Sequence, residues 1–143
     1  TWALGVGLGE LGRLYQTLGR LDEAEACFLE SIDLFGNADY HGSHYLYTEL
    51  GRLATARGDH ELARRYHLES VAIAEANGNR GCMAESLAGM GHAAEARNEP
   101  EVALDFYRRA TALGEQRSLV ERGHDEWRVA VERLSELVDQ ANR

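Results

Sequence analysis

The sequence predicts an all-α solenoid of three helix-turn-helix repeats followed by a C-terminal capping helix, seven helices in all. Three observations predict it. The first is a repeat: Leu11-Gly12-x-x-Tyr15 returns as Leu50-Gly51-x-x-Ala54 and as Met90-Gly91-x-x-Ala94, with steps of 39 and 40 residues between the glycines. A fixed period of this size marks units that stack and bury their apolar faces only against neighbours. The second is helical apolar spacing between these landmarks, with no sustained period-two alternation and no hairpin turns. The third is a residue suited to ending a helix in the middle of each unit, at Gly19, Gly58 and Asn98.

The elements follow in order. Leu4, Leu8, Leu11, Leu14, Tyr15 and Leu18 form one stripe, read as the buried face of a first helix that Gly19 stops. Ala24, Phe28, Ile32 and Phe35 face one way on the second helix. Asp22 and Glu23 stand in its first turn, where the helix dipole favours acids. Gly36-Asn37 ends this first repeat, which spans about residues 4–36. The second repeat, about 43–77, holds helix 44–57 (Tyr47, Leu50, Leu53, Ala54) and helix 61–76 (Leu62, Ala63, Tyr66, Val71, Ile73). These are divided at Gly58-Asp59 and closed by Asn77-Gly78. The third, about 81–115, holds helix 81–97 (Met83, Leu87, Met90, Ala94) and helix 101–115, which Pro100 opens in its first turn, where a missing N–H does least harm. The last helix, about 118–141, carries Leu119, Trp127, Val131, Leu134, Leu137 and Val138. Trp127 stands 40 residues after Leu87, in the place of a fourth first-helix, and with no partner behind it this helix caps the stack.

At 143 residues the chain has the length of a single domain, and 44% hydrophobic with 27% charged residues is an ordinary globular balance. A formal net charge of −9 argues against direct contact with nucleic acid and against an anionic membrane surface. All 15 basic residues are arginine, a composition read as coding bias. Cys27 and Cys82 fall at non-equivalent places in the repeat and are expected as buried, reduced thiols of a cytoplasmic protein. No signal peptide or apolar membrane-spanning run is present, and the start at Thr1 reads as a piece cut from a longer protein.

The landmarks resemble the tetratricopeptide repeat over nearly the whole chain, from about residue 5 to 141. The first unit supplies the pattern as Leu8, Leu11-Gly12, Tyr15, Gly19, Ala24, Phe28 and Ser31. Departures are His67 in the place of the aromatic, Ala54 and Ala94 in the place of Tyr15, and no proline at the end of the units. A unit of about 40 residues is similar to the long variety in kinesin-light-chain-like, LGN-like and MalT-like regulatory proteins. The resemblance implies a right-handed superhelix. It also implies small residues (Gly12, Gly51, Gly91, Ala24, Ala63, Ala103) where paired helices cross, with Phe28 and Tyr107 filling the space between successive pairs. His67 is expected as a packed histidine with a hydrogen-bond partner.

The same resemblance implies a concave groove lined by the first helices. Its row would be Val6, Gly9, Arg13 and Gln16; then Tyr45, Thr48, Arg52 and Thr55; then Glu85, Ala88, His92 and Glu95; then Asp125 and Arg128. The predicted partner contacts are Arg13, Gln16, Tyr45, Thr48, Arg52, Glu85, His92 and Arg128. Arg13, Arg52 and His92 fall at one place in successive units, and a guanidinium ladder suits a carboxylate or an acidic peptide. Glu10 and Glu49 stand three residues before Arg13 and Arg52, so surface ion pairs are the alternative use of both arginines. The Lys-plus-Asn clamp by which some relatives hold chaperone C-termini is missing, because Gly9 and Arg13, and Thr48 and Arg52, take those positions. Tyr40, Tyr45 and Tyr47, with His41 and His44, form an aromatic cluster at the longest linker and a second candidate contact, with ordinary core and loop packing as the alternative.

No residue is assigned to catalysis, to a cofactor or to a metal. Gly5-Val6-Gly7-Leu8-Gly9 lacks the preceding strand and the following Lys-Ser/Thr of a phosphate loop. It reads instead as helix loosened by glycine, while His41-x-x-His44 lacks enough further ligands for a zinc site. The expected function is a non-catalytic protein- or peptide-binding module. It would be the sensing or scaffolding part of a larger bacterial regulator, with self-association through the exposed apolar ends of the solenoid (Leu4, Leu8, Leu18; Val131, Val138) as the alternative.

Overall fold

The helices stop where the backbone turns left-handed. Gly19, Gly58 and Asn98 have φ of 74°, 78° and 59° at equivalent places between the two helices of each repeat, and Gly78 has 62° between repeats. The computed structural model describes residues 2–35, 43–115 and 124–143. Seven helices and no strand lie within those limits: α1 (Trp2–Thr17), α2 (Leu21–Phe35), α3 (Ser43–Ala56), α4 (His60–Ala76), α5 (Arg80–Ala96), α6 (Pro100–Glu115) and α7 (His124–Ala141). Asp59 and Asn79 cap the N-termini of α4 and α5, accepting hydrogen bonds from the backbone N–H of Leu62 and Cys82. Gly36-Asn37, Tyr40, His41, Leu119 and the expected start of the last helix at 118 lie outside the described residues.

The helices pair as α1 with α2, α3 with α4 and α5 with α6, and each pair packs on the next. α2 meets α3, α4 meets α5, α3 meets α5, and α7 lies on α6. One side chain per repeat locks the pair. A methyl group added at Gly12 would stand 2.6 Å from the Phe28 ring, at Gly51 2.5 Å from His67, and at Gly91 3.1 Å from Tyr107. The rings of Phe28 and Tyr107 rest on the glycine of their own repeat and also share a core with the next unit, Phe28 with Leu46, Leu50 and Leu53 of α3 and Tyr107 with Trp127, Ala130 and Leu134 of α7. His67 does both, since a methyl at Gly89 of the next repeat would stand 2.8 Å from the same ring.

A buried polar seam joins α3, α4 and α5. Ser70 Oγ donates to the His44 carbonyl at 2.7 Å and lies 2.7 Å from Thr48 Oγ1 and 2.6 Å from Ser86 Oγ. In the first repeat Ser31 Oγ donates to the Gly5 carbonyl at 2.6 Å. Each hydroxyl is thus satisfied inside the stack, as burial demands. His67 differs from expectation: it is fully buried, yet neither ring nitrogen has a hydrogen-bond partner among the described residues. Its ring edge lies against the two glycines, which offer no side chain to bond. Surface ion pairs tie the units further, with Arg57 reaching back to Glu25 and Asp22, and Arg133 meeting Glu95 at 2.7 Å.

The predicted leucine stripe of α1 is not its buried face. Gly5, Gly9 and Gly12 are buried, whereas Leu4, Leu11, Leu14 and Leu18 are exposed together with Trp2. The small face packs on Phe35 and Phe28, and no described helix covers the large one. Gly5 is therefore a close-approach position, a methyl there standing 2.7 Å from the Phe35 ring, not only loosened helix. The cysteines are both free, Cys27 buried but Cys82 only half-buried.

Candidate functional site

Of the first helices α3 packs directly on α5, and residues from α1 and α7 join theirs around one wall. A cavity of about 610 Å³ opens there, walled by α1, α3, α5 and α7. Six of the eight predicted contacts line it: Arg13 and Gln16 from α1, Tyr45, Thr48 and Arg52 from α3, and Glu85 from α5. His92 lines a neighbouring cavity of about 370 Å³ instead, with Ala88, Glu95 and Tyr107. Arg52, Glu126 and Trp127 belong to both walls, so Arg52 stands at the junction. The ladder is therefore shared: Arg13 with Arg52 in one cavity, Arg52 with His92 in the other.

Arg128 departs from expectation. It is exposed on α7 and lines neither cavity, as does Asp125, while Glu126 and Trp127 take their place. Glu126 stands 40 residues after Ser86, which is fully buried against Ser70. A carboxylate cannot be enclosed as a serine hydroxyl is, because burying an unpaired charge costs far more, and Glu126 opens to the cavity. Trp127 was legible as a core residue and is one, clustered with Leu87, Ala130 and Leu134, and it also lines the cavity. Thr17 and Glu49 complete the lining.

The charges differ in how far they are already used. Arg52 Nη1 lies 2.7 Å from Glu49 Oε1, and that carboxylate is buried. Arg13 meets Glu10 at 3.5 Å in an exposed pair and lies over the Tyr45 ring, 5.7 Å from its centroid. Glu85 and Glu126 are exposed and have no ion-pair partner among the described residues. The Thr48 hydroxyl is turned inward to Ser70 and the His44 carbonyl, so Thr48 contributes shape rather than a free donor. The Tyr45 hydroxyl is buried with no partner among the described residues. That burial, with Glu49 nearby, pushes the phenol well above its ordinary value. Directly beneath, burial first and then Arg52 and His92 lower the His67 imidazole to about 4.

The tyrosine cluster divides. Tyr45 belongs to the groove, and Tyr47 packs in the core beside Tyr66 with ring centroids 6.3 Å apart. His44 is buried, and Tyr40 and His41 lie outside the described residues. Among the described residues no group of three or more His, Cys, Asp or Glu is placed to hold a metal ion. Nor is any described helix long and apolar enough to cross a membrane.

The chain is similar to BtubC (BKLC) from P. vanneervenii, with 13% identity and a TM-score of 0.82 over 95% of this chain and 57% of that one. It thus spans little more than half the length of that neighbour. The first tetratricopeptide domain of Spaghetti (RPAP3), bound to the HSP90 peptide SRMEEVD, is also similar, with 19% identity and a TM-score of 0.71 over 97% of this chain and 96% of that one. At such identities the likeness is one of fold. No curated protein matches the sequence. The tetratricopeptide repeat model matches residues 4–76 and again 42–116, and with the helix pairs, the glycine-ring locks and the concave wall in place, the chain belongs to the tetratricopeptide repeat family.

Proposed function

We propose that this chain is a non-catalytic protein- or peptide-binding module that receives a segment of its partner in the concave groove. The observation that carries this reading is the convergence of Arg13, Gln16, Tyr45, Thr48, Arg52 and Glu85, from three separate helices, on one open cavity. About 610 Å³ falls within the roughly 300–1,000 Å³ of ordinary ligand sites, enough for several side chains. The RPAP3 domain, of the same fold, holds an acidic peptide, and Arg13 and Arg52 retain N–H donors for a carboxylate beyond their pairs with Glu10 and Glu49. Without a Lys-plus-Asn clamp, chaperone tails are not its ligands. The long repeat unit and lysine-free composition support a place in a larger cytoplasmic bacterial regulator, as its sensing or scaffolding part. The test is capture from native lysate by wild type and by Arg13→Glu, after circular dichroism shows both folded. A protein kept by wild type and lost by the variant is the expected result, and equal capture by both removes the groove as the site.

A second reading, self-association, rests on the exposed apolar face of Leu4, Leu11 and Leu14 on α1, continued by Leu18 just past its end. Light scattering over a concentration series tests it. A mass that rises with concentration and stays constant in Leu11→Glu/Leu14→Glu supports it, and a constant mass in wild type dismisses it.

A further inference from the structure

We infer that the groove takes a peptide segment carrying both signs of charge, with an acidic residue against Arg13 and Arg52 and a Lys or Arg side chain between Glu85, Glu126 and Trp127. The inference deepens the peptide-binding reading and rests on it.

The order of charge along the wall carries the argument. The helices that line it contribute Arg13 on α1, Arg52 beside Glu49 on α3, Glu85 on α5, and Glu126 on α7. The two arginines of the wall therefore come from the earlier helices and the carboxylates of Glu85 and Glu126 from the later ones, with Arg52 and Glu126 lining both cavities. The arginines are partly committed, yet a guanidinium has five donors, and both side chains are about half exposed at 54% and 47%. The carboxylates of Glu85 and Glu126 are not committed to any ion pair among the described residues. Trp127 lines both cavities together with Arg52 and Glu126, and an aromatic side chain is of the kind that can accompany a bound cation.

Neither single-sign occupant suits this wall. An all-acidic segment would set its carboxylates beside Glu85 and Glu126, and an all-basic one would set its cations beside Arg13. A segment of mixed charge meets opposite charge at both ends. The chain's net charge of −9 further favours a partner of net positive charge during encounter.

The probe is a random dodecapeptide library displayed on phage and selected against the Trp2→Phe chain. Trp2 is exposed and outside the groove, and its removal leaves Trp127 as the one indole. Selected peptides are then synthesised and titrated by Trp127 fluorescence. The expected winners hold both an acidic and a basic residue. Glu85→Gln/Glu126→Gln weakens them about tenfold or more, as does replacing the peptide's basic residue by glutamine, in line with lost charge-assisted bonds. Winners of acidic residues alone, indifferent to Glu85→Gln/Glu126→Gln but weakened by Arg13→Gln, overturn the inference and leave the groove reading standing. Winners indifferent to every groove variant, or no winners at all, overturn both.

Discussion

Repeats 1 and 2 carry leucines at the same two places and bury them oppositely. Leu11 and Leu14 are 39% and 56% exposed, while Leu50 and Leu53, one repeat later, are 1% and 2% exposed. Both pairs sit on first helices and flank the same close glycine. What differs is the neighbour: α2 lies against α3 and joins Leu50 and Leu53 to Phe28 and Phe35 in one core, and no described helix lies on the equivalent face of α1. In a solenoid, burial is thus a property of the interface between units rather than of the residue.

The sharpest way to break this comparison is truncation. Leu50→Ala should cost about 2–5 kcal/mol by lost transfer and a residual cavity. Leu11→Ala, at the equivalent place, should fall within the roughly 0.5 kcal/mol typical of surface changes. Urea denaturation of the two variants measures the difference. Equal losses would mean that something covers α1 in solution, and the self-association reading would gain directly.

A second contrast lies beneath the groove, where repeat 1 has Phe28 and repeat 2 has His67. Burial, aided by Arg52 on α3 and His92 on α5, lowers His67 to about 4 from an ordinary value of 6.5. The unfolded chain accepts this proton more readily than the folded one. Stability from a neutral His67 is therefore complete above pH 6.5 and is lost as pH falls toward 4. The whole window amounts to about 3 kcal/mol at 1.36 kcal/mol per pH unit. Thermal melts of wild type and His67→Phe across this range should diverge, with wild type losing more stability per pH unit. Parallel curves would show that His67 titrates normally or finds a partner in solution.

These contrasts also mark what the sequence could disclose. The small crossing positions were legible because they depend on spacing and size, and Gly12, Gly51 and Gly91 repeat both; that each takes the ring of Phe28, His67 or Tyr107 was not, because it depends on distances between helices. The α1 face was not, because its leucines fit a helical period as well as the glycines do, and only the packed neighbour decides between faces. Six of the residues that line the cavity were named through the family resemblance. Glu126 and Trp127 were not, because Glu126 occupies the place of a buried serine and was too polar to follow it inward. Nor could sequence reveal that Thr48 turns its hydroxyl to Ser70 or that His67 lacks a partner, since both depend on distances across helices.

The smallest predicted effects reverse sign between two glycines of first helices. Gly51→Ala drives a methyl to 2.5 Å from the buried His67 ring, which Gly89 hems in on its other side. Overpacking of this kind costs about 1–3 kcal/mol. Gly7 is exposed on α1 with nothing within 4 Å of an added methyl. Gly7→Ala should therefore stabilise the chain by about 0.5–1 kcal/mol, the helix-propensity difference between glycine and alanine. Urea midpoints moving in opposite directions would separate the two roles of helical glycine in this fold, close approach at Gly51 and mere backbone freedom at Gly7. A destabilising Gly7→Ala would mean instead that the exposed face of α1 meets another surface closely enough to exclude a methyl group, which ties even this small effect to the question of what covers the leucines.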